Sequence, residues 1–444
     1  MADLAIRVTF VARVPGILKN FESPLELLAR DGHHVEVVLE RGAERLPGQR
    51  AFIDRLAAEH PNVTITELAK RKRTRSGELG KRIRLALDHL HYQRPAFDDA
   101  PDFRRRAAES APEFARRLPR SDLVADALRA LERALPTDRT LDAHLAEHRP
   151  DVLVVSPLIW FGGAPQSDWI RSARRAGIPT AAAIYSWDNL SSKGAMSEIP
   201  DAVLVWNDIQ RREAVELHGV PRARVIPTGA QNWDFWFDRA PARDRRAFCE
   251  RVGLDPDRPY VLYLESSGYV GGERELLPEW RAALPAALQV LVRPHPQVHE
   301  PAWPRLDGVA VWPREPTEPL SQEARDDFFD SVHHCAAAVG VNTSAFIEAA
   351  LLDKPSFSLT LPRFRKGTAD TVHFHYLRAD NGGPTRTAET LDEHVRQLEE
   401  ALQHNGPDPA ARRFVERFVR PNGRDVAAGP RFVAALEQLA ARRL

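Results

Sequence analysis

Residues 336–359 read AAAVGVNTSAFIEAALLDKPSFSL, and this stretch decides the fold. An apolar run ends at Asn342-Thr343-Ser344, where a helix through Phe346, Ile347 and Leu351 is expected to start. Pro355 then opens a second apolar run, PSFSLTL. Strand, helix and strand in close succession form the crossover unit of a parallel sheet.

Outward from this unit the same alternation repeats. YVLYLESSG from Tyr260, LQVLVRPHP from Leu288 and GVAVWP from Gly308 precede it as strand-like runs of one series. Further upstream, IRVTFVARV from Ile6, HVEVVLE from His34, NVTITEL from Asn62, DVLVVSPL from Asp151, PTAAAIYSW from Pro179, AVLVWND from Ala202 and RVIPTGA from Arg224 make another. The expected fold class is therefore α/β, with two doubly wound Rossmann-like domains facing a cleft. The first spans 1–235 and the second 236–415, with a linker near Gln231–Asp238, where QNWDFWFD breaks the rhythm.

Residues 70–148 carry no strand signal and are expected to form a helical insertion in the first domain. Ile83, Leu87 and Leu90 share one helical face, and Val124, Leu128, Leu131 and Leu135 another, with Ser121 placed as N-cap. The leading edge, KRKRTRSGELGKRIR from Lys70 to Arg84, reads either as a solvated loop or as a docking patch for an anionic acceptor or membrane surface.

The 444 residues balance 62 Lys plus Arg against 62 Asp plus Glu, so no nucleic-acid partner is expected. The two cysteines, Cys249 and Cys335, support neither a disulfide framework nor a Cys-based metal site. No apolar stretch reaches the length of a membrane span, and no leader pattern precedes Ile6, so the expected location is cytoplasmic, with at most peripheral membrane contact through 70–84.

Polar groups at three strand ends of the second series suit an anion. Thr343 and Ser344 add hydroxyls to a helix start, with Glu348 one turn in; the same residues also read as an ordinary cap and a first-turn acid. Ser266, Ser267 and Gly268 form a small-residue turn, with Gly271 and Gly272 close behind. In Arg293-Pro294-His295-Pro296 the prolines stiffen a loop that offers a guanidinium and an imidazole. In the first series, Asp188 at a strand end reads as a general base or as a local turn cap. Arg13, Gly16 and Asn20, together with Asn189 and Lys193, are candidate acceptor contacts, and Trp160 and Phe161 an aromatic platform or an aromatic plug. The histidines, His33-His34, His333-His334, His373 and His375 included, complete no metal set with carboxylate or Cys partners, so a metal-independent site is expected.

TGA at Thr228, RPHP at Arg293, NTSAFIEAALLDKP at Asn342 and PNGRD at Pro421 together resemble bacterial glycosyltransferases of the GT-B fold. The nearest likeness is to the branch of CDP-glycerol glycerophosphotransferases and surface-polysaccharide transferases, with UDP-N-acetylglucosamine 2-epimerases as structural cousins. The resemblance implies that the second domain holds a nucleotide-diphosphate sugar as donor substrate, with no separate cofactor: Ser344 and neighbouring backbone, Asn342 and Thr343 among it, would meet the diphosphate, Glu348 the ribose, and His295, as a catalytic residue, the phosphate or its leaving oxygen. It implies that the first domain takes a glycan, lipid-linked or small-molecule acceptor, and that residues 416–444 cross back to the first domain. Where glycerophosphotransferases carry His-Gly-Thr-Pro, this chain has YSWDNLSSKG from Tyr185 to Gly194, which favours sugar transfer over polyol-phosphate transfer. The alternatives are a CDP-polyol phosphotransferase, an enzyme acting on the nucleotide sugar itself, and a non-catalytic nucleotide- or glycan-binding scaffold.

Overall fold

Short runs of β-branched and small apolar residues, buried on both faces, are what a parallel sheet covered by helices demands. The computed structural model describes residues 5–368, 371–403 and 406–442. The chain divides into two compact units, Met1–Phe235 with Phe418–Leu444, and Trp236–Arg417.

The first unit holds seven strands: β1 (Arg7–Ala12), β2 (His34–Leu39), β3 (Val63–Glu67), β4 (Val152–Ser156), β5 (Thr180–Ala183), β6 (Ala202–Val205) and β7 (Val225–Pro227). Their order is β3-β2-β1-β4-β5-β6-β7, and all pairs are parallel. One face packs Phe10, Val154 and Leu204 against Leu25 and, from the helix Ala428–Ala441, Phe432 and Leu436. The other packs Val11 and Val155 against Leu141, Leu145 and the fully buried Trp169. The C-terminal helix thus completes the core of this unit, packed so closely that a Cβ on Gly429 would run into the Ser23 hydroxyl and the Leu27 side chain.

Between β3 and β4 run the helices Arg75–Tyr92, Pro101–Ser110, Asp122–Ala134 and Arg139–His148. Ile83 and Leu87 are buried against Leu128 and Leu135, as their spacing predicts. Ser121 stands at the N-cap position without a side-chain bond to the helix; Asp138 caps the next helix through the Thr140 amide.

The second unit holds β8 (Tyr260–Leu264), β9 (Gln289–Arg293), β10 (Val309–Val311), β11 (Ala337–Gly340), β12 (Ser356–Leu359) and β13 (Thr385–Ala388), in the order β10-β9-β8-β11-β12-β13 and all parallel. Both sheets therefore reverse direction of build once, between β1 and β4 and between β8 and β11, which is where doubly wound sheets open a crevice beyond their strand ends. At the second reversal the strands close tightly: a Cβ on Gly340 would lie 2.6 Å from the Leu264 carbonyl oxygen. Strand β13 is absent from the sequence reading because TRTA is a polar edge run without the apolar signature used to find strands.

Trp233 and Trp236, adjoining the linker, belong to different cores. Trp233 lies edge-on to Trp206 at 5.1 Å in the first unit, and Trp236 packs on Phe328 and Phe329 at 5.4 and 5.2 Å in the second.

Candidate functional site

In the second unit the loops after β8, β9 and β11 are tied to each other by buried polar groups. The Ser266 hydroxyl accepts from the Asn342 amide (2.9 Å) and donates to Glu273 (3.3 Å), bridging the two strand ends at the sheet reversal. Glu273 also accepts from the Ser266 amide (2.9 Å) and the Tyr263 hydroxyl (2.9 Å), and burial pushes its carboxyl up to about 8, so it is mostly protonated at neutral pH. Glu265, next to Ser266, forms a buried ion pair with Arg274 (2.8 Å) and accepts from the His295 amide (2.8 Å). Arg274 in turn donates to the Val298 carbonyl (2.7 Å), so the loop His295–His299 is held from both ends.

Of the residues the sequence singles out, Ser266 is buried in this network, and the half-buried Asn342 directs its side-chain amide to the Gly367 carbonyl (2.6 Å) and the Thr371 hydroxyl (3.1 Å). Arg293 is buried beneath the loop over the Phe328 ring, 4.1 Å from its centroid, and its affinity for the proton is pushed down to about 10 by burial, against the pull of Asp327 and Glu348. These three residues shape the cradle from below. Its exposed rim is Ser267, Gly268 and Ser344, with His295 and Glu348 half-buried. Thr343 is buried and caps the helix Ala345–Leu351 through the Ala345 amide (3.3 Å), leaving the Ser344 hydroxyl out of the cap. Glu265, Glu273 and Arg274 were missed because nothing in their local sequence marks a buried carboxylate network.

In the first unit, Asp188 stands beyond β5 at the start of the short helix Asn189–Ser192. Its carboxylate accepts from Ser186 (2.5 Å) and Ser192 (3.1 Å) and pairs with Lys193 (2.8 Å). Asn189 is fully buried, its amide directed to the Ile159 carbonyl (3.4 Å), and does not reach the surface as an acceptor contact must. Asn20 closes its own turn on the Ile17 carbonyl (3.0 Å), and Gly16 lies beneath the Gln49 amide, where a Cβ would come within 2.7 Å. Arg13 is half-buried with its guanidinium 4.8 Å from the Trp160 ring centroid.

The segment 70–84 is not uniformly solvated. Arg84 is buried on Glu132 (2.7 Å), Asp168 (3.0 Å) and the Gly163 carbonyl (2.6 Å), and Arg71 pairs with Asp168 (2.9 Å). Asp88 accepts from the Ala195 amide (2.7 Å), and Arg106 donates to the Ser192 carbonyl (3.0 Å), so the helices between β3 and β4 brace the loops after β4 and β5. Three groups that the sequence reading did not connect, Glu36, His144 and His148, meet in the body of this unit: the buried Glu36 carboxylate takes His144 (3.2 Å), His148 (3.3 Å), Thr9 (3.0 Å) and Thr66 (2.8 Å). No helix among the described residues is long and apolar enough to cross a membrane.

The chain is similar over nearly its whole length to solved structures. The fold is GT-B-like. The UDP-GlcNAc 2-epimerase of Neisseria meningitidis bound to UDP-GlcNAc superposes with a TM-score of 0.55 at 12% identity, over 98% of this chain and 100% of that one. A glycosyltransferase from Rickettsia africae gives 0.55 at 8% identity over 99% of both chains. The Anabaena protein HepE, solved with UDP and glucose, gives 0.51 at 11% identity over 98% of this chain and 100% of that one. No protein-family model and no curated protein sequence matches the chain.

Proposed function

We propose that the protein is a nucleotide-sugar-dependent glycosyltransferase whose second unit holds the donor and whose first unit holds the acceptor. The observation that carries this reading is the cradle at the β8/β11 reversal, where Ser266 clamps two strand ends and leaves Ser267, Gly268, Ser344 and His295 around its rim. Small exposed residues there let a diphosphate approach the backbone, and hydroxyl and imidazole groups supply donors to it. Glu348 accepts from ribose hydroxyls in this reading. Arg293, buried near Glu348, contributes positive field without direct contact. The likeness to structures solved with UDP sugars supports the donor class.

In the reaction, an acceptor hydroxyl attacks the anomeric carbon, its proton passes to Asp188, and the bond to the diphosphate breaks with the electron pair leaving on the nucleotide. Lys193, Ser186 and Ser192 orient the Asp188 carboxylate. No metal is required by this scheme. A second reading, an epimerase or hydrolase acting on the nucleotide sugar itself, is favoured by the likeness to the Neisseria epimerase. A CDP-polyol phosphotransferase or a silent scaffold has no comparable support.

Assaying nucleotide-diphosphate release from a panel of UDP-, GDP-, CDP- and dTDP-sugars, with and without hydroxyl acceptors, separates these readings. Acceptor-dependent release from a sugar nucleotide is expected. Turnover of donor alone contradicts transfer and favours the second reading. Asp188→Ala is expected to lower turnover roughly 10²- to 10⁴-fold while nucleotide binding persists; full activity in that variant refutes the base assignment.

A further inference from the structure

At the C-terminal edge of the first sheet, two aromatic rings are flanked by four cations, each drawn from a separate segment. Arg13 follows β1, Arg45 follows β2, Trp160 and Phe161 follow β4, Lys193 follows β5, and Arg106 comes from the helix Pro101–Ser110. Arg13 and Arg45 lie 4.8 and 5.9 Å from the Trp160 ring centroid, and Arg106 and Lys193 lie 3.6 and 5.3 Å from that of Phe161. The two rings are 6.4 Å apart, so the four cations form one continuous row. A guanidinium held against an aromatic face is fixed in place, and Arg13 and Arg45 are the two of the four that carry the argument, since Arg106 is bonded to the Ser192 carbonyl and Lys193 to Asp188.

The charge balance of this edge is positive. Asp188 is taken up by Lys193. Glu40, near Arg13, and Asp88, near Arg106, are both driven toward their neutral forms by burial, Asp88 to about 7. Arg13 gives up its proton more readily than a free arginine because it is buried and faces Arg41 and Arg45, a repulsion an incoming anion would relieve. Its Nη1 is buried without a hydrogen-bond partner. Such a donor, left unmatched beside other like charges, is costly unless something outside the chain completes it.

We propose that this row binds the acceptor through an anionic group, a carboxylate or a phosphate on a hydroxyl-bearing sugar, with Arg13 and Arg45, held by Trp160, as its principal contacts. The inference rests on the reading of the first unit as the acceptor side. It adds the acceptor's chemical class: an acidic or phosphorylated saccharide rather than a neutral one.

Calorimetric titration of the full chain with methyl β-D-glucuronide, glucose 6-phosphate and methyl β-D-glucoside tests this, with UDP titrated in parallel. At least one of the two anionic sugars is expected to bind about tenfold or more tightly than the neutral one, the two arms telling carboxylate from phosphate. Arg45→Gln, at an exposed position, and Arg13→Gln are each expected to remove most of that preference while the unfolding midpoint is kept. Equal binding of the three sugars, binding of none by protein that takes UDP, or a preference untouched in Arg45→Gln and Arg13→Gln overturns the proposal. Failure of UDP to bind while the anionic preference persists would instead count against the donor reading, so the two failures are distinguishable.

Discussion

Glu273 is a buried carboxyl whose two oxygens are matched by the Ser266 amide and hydroxyl and the Tyr263 hydroxyl. Its folded-state pKa of about 8 lies above the ordinary 4.5, so between those values the native state holds a proton that the unfolded chain releases. Its contribution to stability is therefore complete below about pH 4.5 and is lost as pH rises toward 8. Glu273→Gln, which mimics the neutral form, is expected to flatten the fall in melting temperature between pH 5 and 8, whereas Glu273→Ala lowers it throughout; an unchanged pH profile in the Gln variant contradicts this assignment. At the same scale, legibility was uneven. Ser267, Gly268, Ser344 and His295 were singled out because they follow three strands of one series, and the fold leaves the first three exposed and His295 half-buried. The burial of Ser266 and Arg293 was not legible, since adjacent side chains at a strand end point to opposite sides and only burial tells which of them meets solvent.

Elements were easier to read than contacts. Among the described residues, the central strands appear as apolar runs because strands buried on both faces must be apolar throughout, and the edge strands β3 and β10 are still marked by β-branched residues; β13, an edge strand of TRTA, has neither signal. The crowding at the β8/β11 reversal yields an element-level prediction: Gly340→Ala forces a methyl against the Leu264 carbonyl and is expected to cost about 1–3 kcal/mol in urea unfolding. The helices between β3 and β4 yield another. Arg84→Ala strips a buried partner from Glu132 and Asp168 and is expected to cost about 3–5 kcal/mol, whereas Arg73→Ala, at an exposed position, leaves stability within about 0.5 kcal/mol. Equal effects of the two changes would show that the segment 70–84 is solvated along its length. Its basic character gave no sign of this difference, because Arg71 and Arg84 find acids at positions 132, 138 and 168, far off in sequence.

For the whole molecule, the two-series rhythm of strands carried the α/β, doubly wound class, and both sheets are wound in the order that places a crevice beyond the strand ends at one reversal each. At these reversals stand a clamped, small-residue cradle in the second unit and a cation-lined aromatic edge in the first. In the proposed function the cradle takes a nucleoside diphosphate. Titrating the full chain with UDP, CDP, GDP and dTDP by calorimetry, beside Glu348→Ala, tests it directly. One of the four is expected to bind, and the variant to bind it at least about tenfold more weakly through loss of a charged hydrogen-bond acceptor. Absence of binding by all four, or binding that Glu348→Ala leaves unchanged, would contradict the account.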